Sequence, residues 1–101
     1  MASPYAVEER LTILRDTQSP AHDAATLALA ALGWLLADQA RAERLLALTG
    51  LTPDALRRGL GDPGMLAAVL DFLAAHEPDL VAAAAAIGVE PAALMAARER
   101  L

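Results

Sequence analysis

Few side chains in this sequence have the type and spacing needed for catalysis or metal binding. The chain contains no cysteine, so a thiol nucleophile and a zinc–thiolate site are excluded. The two histidines, His22 and His76, lie far apart in the sequence and do not form a helical metal pair. We expect His22 to be solvated and His76 to cap the last carbonyls of the helix that it ends. The two serines, Ser3 and Ser19, each precede a proline, and we predict that they cap helices.

The remaining chemical motifs are equally weak. The glycine-rich segment 59–64 lacks the lysine of a phosphate-binding loop and is interrupted by Pro63. The adjacent carboxylates Glu8 and Glu9 lie near a predicted helix start, where we expect them to face solvent. We therefore predict that the chain is not an enzyme, and a small enzyme remains only a second alternative function. We assign it no catalytic residue, no cofactor, no metal site and no small-molecule substrate.

Four side chains are better suited to contact a protein partner. Trp34 and Leu35 lie in a strongly apolar segment, and tryptophan is enriched at the energetic centres of interfaces. Arg57 and Arg58 form the only adjacent basic pair, which suits an acidic partner. A core position for Trp34 and a solvated face for the two arginines are the simpler alternatives.

Prolines and glycines divide the chain into short helices. Each of the six prolines follows a residue with an oxygen-bearing side chain, and proline fits the first position of a helix. Asp38 is a further candidate for a helix start, while Gly50 and Gly88 stand where helices should stop. The sequence thus predicts an all-α fold, a compact bundle of six to seven short helices with prolines at their first positions and glycines at their corners. The proline pairs are Ser3-Pro4, Ser19-Pro20, Thr52-Pro53, Asp62-Pro63, Glu77-Pro78 and Glu90-Pro91.

Apolar periodicity predicts a short helix near the start of the chain. In residues 1–20, Val7, Leu11 and Leu14 are spaced by four and three positions, which is typical of a short amphipathic helix.

Two helices are expected to form the centre of the fold. Met65, Val69, Phe72 and His76 share one helical face. The segment 24–37 is apolar around nearly its whole circumference, so it should be buried on all sides or present part of its surface to another subunit.

Two corners share a pattern that also occurs in DNA-binding proteins. Residues 50–56 and 88–94 both read Gly, aliphatic, any residue, Pro, any residue, Ala, Leu. The glycine-to-aliphatic spacing is compatible with a helix-turn-helix, so DNA binding is an alternative function. The formal net charge of −5 and the scarcity of basic residues after each corner argue against nucleic acid as the partner. We favour a recurring structural corner.

Composition places the chain among soluble proteins. Alanine and leucine supply 26 and 19 of the 101 residues, enough for one core. The longest uncharged run, 24–37, is shorter than the roughly 20 residues that a membrane-spanning helix needs. The first 18 residues lack the pattern of a secretory signal. We therefore predict a cytoplasmic protein that does not enter a membrane.

The stretch RLLALTGLTPDALR at 44–57, followed by PGMLAAVLDFL at 63–73, resembles a family of short, uncharacterised, all-helical alphaproteobacterial proteins, a domain of unknown function. The likeness covers roughly residues 21–101, and it implies that residues 21–101 form a single helical domain and that residues 1–20 are an N-terminal extension. The family often has an acidic residue followed by proline at its second helix start, where this chain has Asp38-Gln39. The resemblance implies a small helical bundle, supplies no activity, and implies a link to bacterial signalling through single-domain response regulators.

These observations lead to one functional prediction. A chain of this size has a limited interior, and contiguous apolar surface left over usually marks an interface. We expect a non-enzymatic protein–protein interaction module or small adaptor that binds a protein partner or forms a homodimer.

Overall fold

The computed structural model describes residues 23–101, which contain six α-helices and no strand. The all-α prediction is therefore confirmed. The predicted helix in the extension, the pairs Ser3-Pro4 and Ser19-Pro20, and His22 lie outside the described residues. The helices are α1 (Ala24–Leu36), α2 (Gln39–Thr49), α3 (Pro53–Arg58), α4 (Pro63–Ala74), α5 (Glu77–Ile87) and α6 (Pro91–Glu99).

Polar side chains cap the first four helices. The backbone N–H groups of Arg41, Ala55 and Gly64 donate to the capping side chains of α2, α3 and α4 at 3.0, 3.0 and 3.2 Å. At the start of α1, both the hydroxyl and the backbone N–H of Thr26 donate to the Asp23 carboxylate, and these bonds lower the pKa of Asp23. Each cap satisfies a backbone donor that has no partner within its helix. The four capping residues are Asp23, Asp38, Thr52 and Asp62.

The prolines begin α3, α4 and α6 as predicted, and one start is different. Helix α5 begins at Glu77 with His76 as its N-cap, so Pro78 is the second helical residue. Glu77 contributes acidic charge to the first turn, which suits the positive end of the helix dipole. At the start of α6, Glu90 is the N-cap but its side chain makes no capping hydrogen bond.

Helix α4 lies at the centre of the core, as the periodicity predicts. Met65, Val69 and Phe72 are all buried, and α4 packs against α1, α2, α5 and α6. Nδ1 of His76 donates to the carbonyl of Phe72 at 2.8 Å, and the two rings stack with centroids 4.5 Å apart. The predicted capping role of His76 is confirmed. On the exposed face of the helix, the Asp71 carboxylate accepts a 2.7 Å hydrogen bond from Arg98 Nε and raises the pKa of Arg98.

Helix α1 is buried along one side only, so complete burial of this segment was the wrong expectation for the single chain. Helices α2, α4, α5 and α6 pack against it and leave one sector uncovered. Leu29 and Leu36 retain 39% and 45% of their accessible surface, and Ala30 and Gly33 between them are also exposed. The alternative expectation, a surface that faces another subunit, remains a prediction. The buried side consists of Leu27, Ala28, Ala31, Leu32 and Leu35.

Among the described residues, no single helix is long and apolar enough to cross a membrane. Helices α5 and α6 meet the length and composition criteria only when they are taken together, and a bend of 99° separates them. Both contribute to the core that surrounds α1 and α4, with Leu80 and Leu94 among their buried residues.

Candidate functional site

An open apolar groove lies between the first three helices and is the candidate site of this chain. Its volume is about 340 Å³, and all of its lining residues are apolar except one arginine. We call it the leucine groove. It is lined by Leu32 and Leu36 from α1, Ala42 and Leu46 from α2, and Pro53, Leu56, Arg57 and Leu60 from α3 and the turn after it.

The groove has a buried floor and an exposed rim. Leu32 and Leu56 form the floor and retain only 2% and 5% of their surface, since both also belong to the core. Leu36 and Leu60 stand at the rim and retain 45% and 42%. Two large apolar side chains therefore stand beside a concave apolar surface and are in contact with water.

The corner between α2 and α3 positions one wall of the groove. Gly50 ends α2 with φ of +75°, in the left-handed region that glycine adopts without steric cost. The capped start of α3 then directs Leu56 toward the core. Helix α3 stops at Gly59, where a Cβ atom would lie 3.0 Å from Met65 Cγ and 3.1 Å from the Ala55 carbonyl oxygen. The turn after this close approach carries Leu60 to the rim.

Arg57 adds positive charge at the α3 end of the groove, and Arg58 follows it in the sequence. Arg57 Nη1 lies 3.3 Å from Asp54 Oδ1, and both side chains are largely exposed. An ion pair this exposed stabilises the protein by less than about 1 kcal/mol, so the guanidinium can exchange partners at little cost. Arg58, the next residue, is also exposed. The groove therefore combines an apolar interior with a basic end.

The structure places the four predicted partner-binding residues in three different environments. Arg57 lines the groove and Arg58 adjoins it in sequence. Leu35 retains none of its surface and lies in the core, so it offers nothing to a partner; Leu36, rotated by about 100° along the helix, takes the exposed position instead. Trp34 is about 200° from both Leu32 and Leu36, which places it on the other side of α1 from the groove.

Trp34 is instead part of a cluster at the turn between α1 and α2. The guanidinium of Arg41 lies 3.7 Å from the centroid of the Trp34 ring, and Arg41 Nη2 donates to the Trp34 carbonyl at 3.0 Å. Arg41 Nε, which is buried and makes no hydrogen bond, lies 3.9 Å from Asp38 Oδ2. Since the ring is half-buried, packs on the core and is covered by Arg41, this arrangement fits the simpler alternative of a structural anchor. A role for Trp34 in partner binding stays a prediction.

Sequence reasoning did not find the leucines that define the groove. Leu36, Leu46 and Leu56 read as ordinary core positions of their helices. Leu60 carries a usable signal, because it stands between Gly59 and Gly61 in a turn, where a large aliphatic side chain has no helix neighbours to bury it. The leucine between two glycines and the arginine pair are therefore the marks of this groove that the sequence contains.

Comparison with known proteins places the groove within a family. A family model described as "Protein of unknown function (DUF3572)" matches residues 21–101. The chain belongs to this family. All lining residues of the leucine groove lie within the part of the chain that matches the DUF3572 model, and residues 1–20 lie outside it. No curated protein and no solved structure matches the chain.

The described part of this DUF3572 member contains no group of three His, Asp or Glu side chains close enough to hold a metal ion. The long-range ion pairs of the same region, Arg44 with Asp79 and Arg98 with Asp71, join neighbouring helices across the surface. Both arginines are therefore paired, and neither lines the leucine groove.

Proposed function

We propose that this chain is a non-enzymatic protein–protein interaction module whose leucine groove receives the apolar face of a helix. The observation that carries the proposal is the exposed rim, Leu36 and Leu60, beside an apolar groove of about 340 Å³. Helix-in-groove recognition uses apolar side chains spaced by three or four residues, which enter such a groove while the polar face of the helix stays in water.

The basic end of the groove defines the partner further. Arg57 is paired only across an exposed contact with Asp54, and Arg58 is exposed beside it. A helix with acidic residues at one end of its apolar stripe would gain charge-assisted contacts there. We therefore favour an acidic amphipathic helix as the ligand, in a partner protein or in a second copy of this chain.

The setting of this function is part of the same proposal. A cytoplasmic location, an alphaproteobacterial source and a link to signalling come from the sequence and from the family resemblance. An adaptor role in a signalling complex fits an interaction module that has a binding groove and no assigned chemistry.

Affinity capture from a lysate of the source organism tests the proposal. The bait is the full chain, compared with the groove variant Leu60→Asp and the matched control Leu48→Asp. Leu48 is the most exposed large apolar residue of the described region, at 61%, and does not line the groove. We expect Leu60→Asp to lose specific proteins that the wild type and Leu48→Asp retain. An identical set of captured proteins for all three baits would mean that the groove is the wrong surface.

Light scattering coupled to size-exclusion chromatography tests self-association separately. If a second copy provides the ligand, the wild type and Leu48→Asp run as dimers and Leu60→Asp runs as a monomer. A wild-type chain that remains monomeric at high concentration removes the homodimer from the proposal and leaves a different protein as the partner.

A further inference from the structure

Helix α1 exposes a strip that carries no charge. Of the six helices in the described residues, α1 alone contains no charged residue. Its exposed side carries Leu29, Gly33 and Leu36, spaced by four and three positions. Ala30 and Ala37 are exposed beside them, and we call these five residues the α1 strip. The water-facing side of a surface helix normally carries charged or polar side chains, so this composition is typical of a helix that contacts another helix.

The strip is complementary to a second copy of itself. Two antiparallel α1 helices can be related by a two-fold axis that passes between their Gly33 residues. With a rise of about 1.5 Å per residue, Leu29 of one copy then lies at nearly the same height as Leu36 of the other. Ala30 and Ala37 match in the same way on the opposite edge of the strip. Leucines therefore meet leucines along one edge, and alanines meet alanines along the other.

The small residues allow the two helices to approach closely. A Cβ atom at Gly33 would meet nothing within 4 Å, so the space in front of this residue is open. Two helices that meet through glycine and alanine can reach the short end of the range of about 8–10 Å between helix axes. The leucines then pack beside this contact, and Leu29 and Leu36 bury surface of which 39% and 45% is accessible in the single chain.

The carboxylates at the ends of α1 favour the antiparallel direction. A parallel pair would bring each of Asp23 and Asp38 next to the same residue of the other copy. In the antiparallel pair, the two Asp38 residues are about 15 Å apart along the helix axis. Asp38 of one copy and Asp23 of the other are more than about 10 Å apart, which exceeds the Debye length of about 8 Å at physiological ionic strength. The opposed helix dipoles also favour this direction.

Both carboxylates have positive charge near them in their own chain. Arg41 Nε lies 3.9 Å from Asp38 Oδ2. The pKa of Asp23 is lowered first by the hydrogen bonds from Thr26 and further by the positive charge of Arg100. The ends of α1 therefore add little repulsion to a contact that is centred on the uncharged strip.

We infer that the α1 strip is a homodimer interface, in which the α1 helices of two copies pack antiparallel across a two-fold axis at Gly33. A contact made mainly by one short helix of each copy is small, so the dimer is reversible. The inference goes beyond the proposed function, because the strip shares only Leu36 with the lining of the leucine groove. Leu36 lies on the leucine edge of the strip, so the two grooves open on the same side of this dimer.

Disulfide formation between single-cysteine variants tests the geometry, since the chain has no native cysteine. A disulfide requires Cα atoms within about 7 Å of each other. In the inferred dimer, Ala30 of one copy and Ala37 of the other differ in height by about 1.5 Å, whereas the two copies of Ala37 differ by about 12 Å. On mild oxidation, a mixture of Ala30→Cys and Ala37→Cys should form at least about fivefold more covalent dimer than either variant alone. Val81→Cys, exposed on α5, gives the background.

Two results of this experiment overturn the inference. A yield from the mixture no higher than that of Val81→Cys means that the two strips do not meet. A high yield from Ala37→Cys alone means that the helices pack in parallel.

The oligomeric state provides an independent measurement. Gly33→Glu places a charge at the centre of the strip, and the open space there accommodates the side chain, so the variant should fold; circular dichroism checks this. Ala85→Glu introduces the same charge on the exposed side of α5 and is the matched control. In a light-scattering concentration series, the wild type and Ala85→Glu should pass from monomer to dimer, and Gly33→Glu should remain a monomer. A wild type that stays monomeric up to about 1 mM, or a Gly33→Glu variant that still dimerises, overturns the inference.

The variant Leu60→Asp separates this inference from the proposed function. Leu60 lines the groove and is not part of the strip, so the variant should lose groove ligands in the capture experiment and still dimerise. A monomeric Leu60→Asp would mean that a second copy fills the groove, in which case this inference fails and the proposed function stands. Unchanged capture by Leu60→Asp, together with a dimer that only Gly33→Glu abolishes, means that the proposed function fails and this inference stands.

Discussion

The corner between α2 and α3 and the corner between α5 and α6 share one sequence pattern and have different surroundings. In both, a glycine with positive φ ends the first helix, at +75° for Gly50 and +87° for Gly88. In both, a proline begins the second helix and the final leucine of the pattern, Leu56 or Leu94, is buried. The local turn is therefore the same structure used twice.

The two corners differ in the length and packing of the second helix. Helix α6 has nine residues, buries Ala97 as well as Leu94, and packs against α1, α4 and α5. Helix α3 has six residues, and Leu56 is its only buried residue. The position that Ala97 takes in the second corner is Gly59 in the first, where the chain meets Met65 and turns away. The pattern determines the turn, whereas the length of the second helix determines whether the space beside it becomes filled core or an open groove.

The largest effect that tests this contrast is removal of the two leucines. Leu94→Ala leaves a closed cavity in the core and should lower the free energy of unfolding by about 3–5 kcal/mol. Leu56→Ala widens a groove that is already open to water, so it creates no closed cavity. The free energy of unfolding should then fall by about 2 kcal/mol, which is the loss expected from the removed apolar surface alone. Urea unfolding followed by circular dichroism measures both. Equal losses would mean that the floor of the groove is packed as tightly as the core.

Replacement of the corner glycines tests whether the two turns are equivalent. Gly50→Ala and Gly88→Ala both force a Cβ atom into the left-handed region, and neither new atom meets a neighbour within 4 Å. Each should therefore destabilise by about 1–2 kcal/mol from backbone strain alone. The two values should agree within experimental error in thermal unfolding. A clear difference would show that the surroundings of the corners act on the turns themselves.

The smallest predicted effect concerns the helix caps. Thr52 Oγ1 accepts a 3.0 Å hydrogen bond from the Ala55 backbone N–H, while the corresponding Glu90 makes no capping bond. Thr52→Ala should lower the free energy of unfolding by about 1 kcal/mol. Glu90→Ala should lower it by only about 0.3 kcal/mol, because only the interaction with the helix dipole is lost. Denaturant midpoints of the two variants provide the comparison. A loss at Glu90 as large as that at Thr52 would contradict the assignment of the caps.

Local rules explain why the helix boundaries could be predicted. A proline at the first helical position and a capping oxygen before it act within one turn. The helix starts at Thr52-Pro53 and Asp62-Pro63 can therefore be predicted without knowledge of the fold. Glu77-Pro78 is the instructive exception. There, the backbone carbonyl of His76 accepts hydrogen bonds from the N–H groups of Asp79 and Leu80, so α5 begins at Glu77, one residue before the proline.

The candidate site was much less predictable, since it depends on which helix faces meet. Leu35 and Leu36 are adjacent and chemically identical, yet one lies in the core and the other at the rim of the groove. Trp34 is a residue type that is enriched at interface hot spots, but Arg41 covers its ring within the same chain. No periodicity distinguishes these cases, because the whole segment is apolar and any of its faces could have been the buried one.

The sequence by itself determined the all-α class, the places where most of the described helices begin, the glycine ends of α2 and α5, and the buried stripe of α4, because capping, backbone strain and helical periodicity act over a few neighbouring residues. Only the tertiary structure decided which side of α1 remains uncovered and that a groove opens between α1, α2 and α3. Those outcomes depend on how many helices pack around α1 and on where α3 stops against Met65, and such contacts join residues that are far apart in the chain.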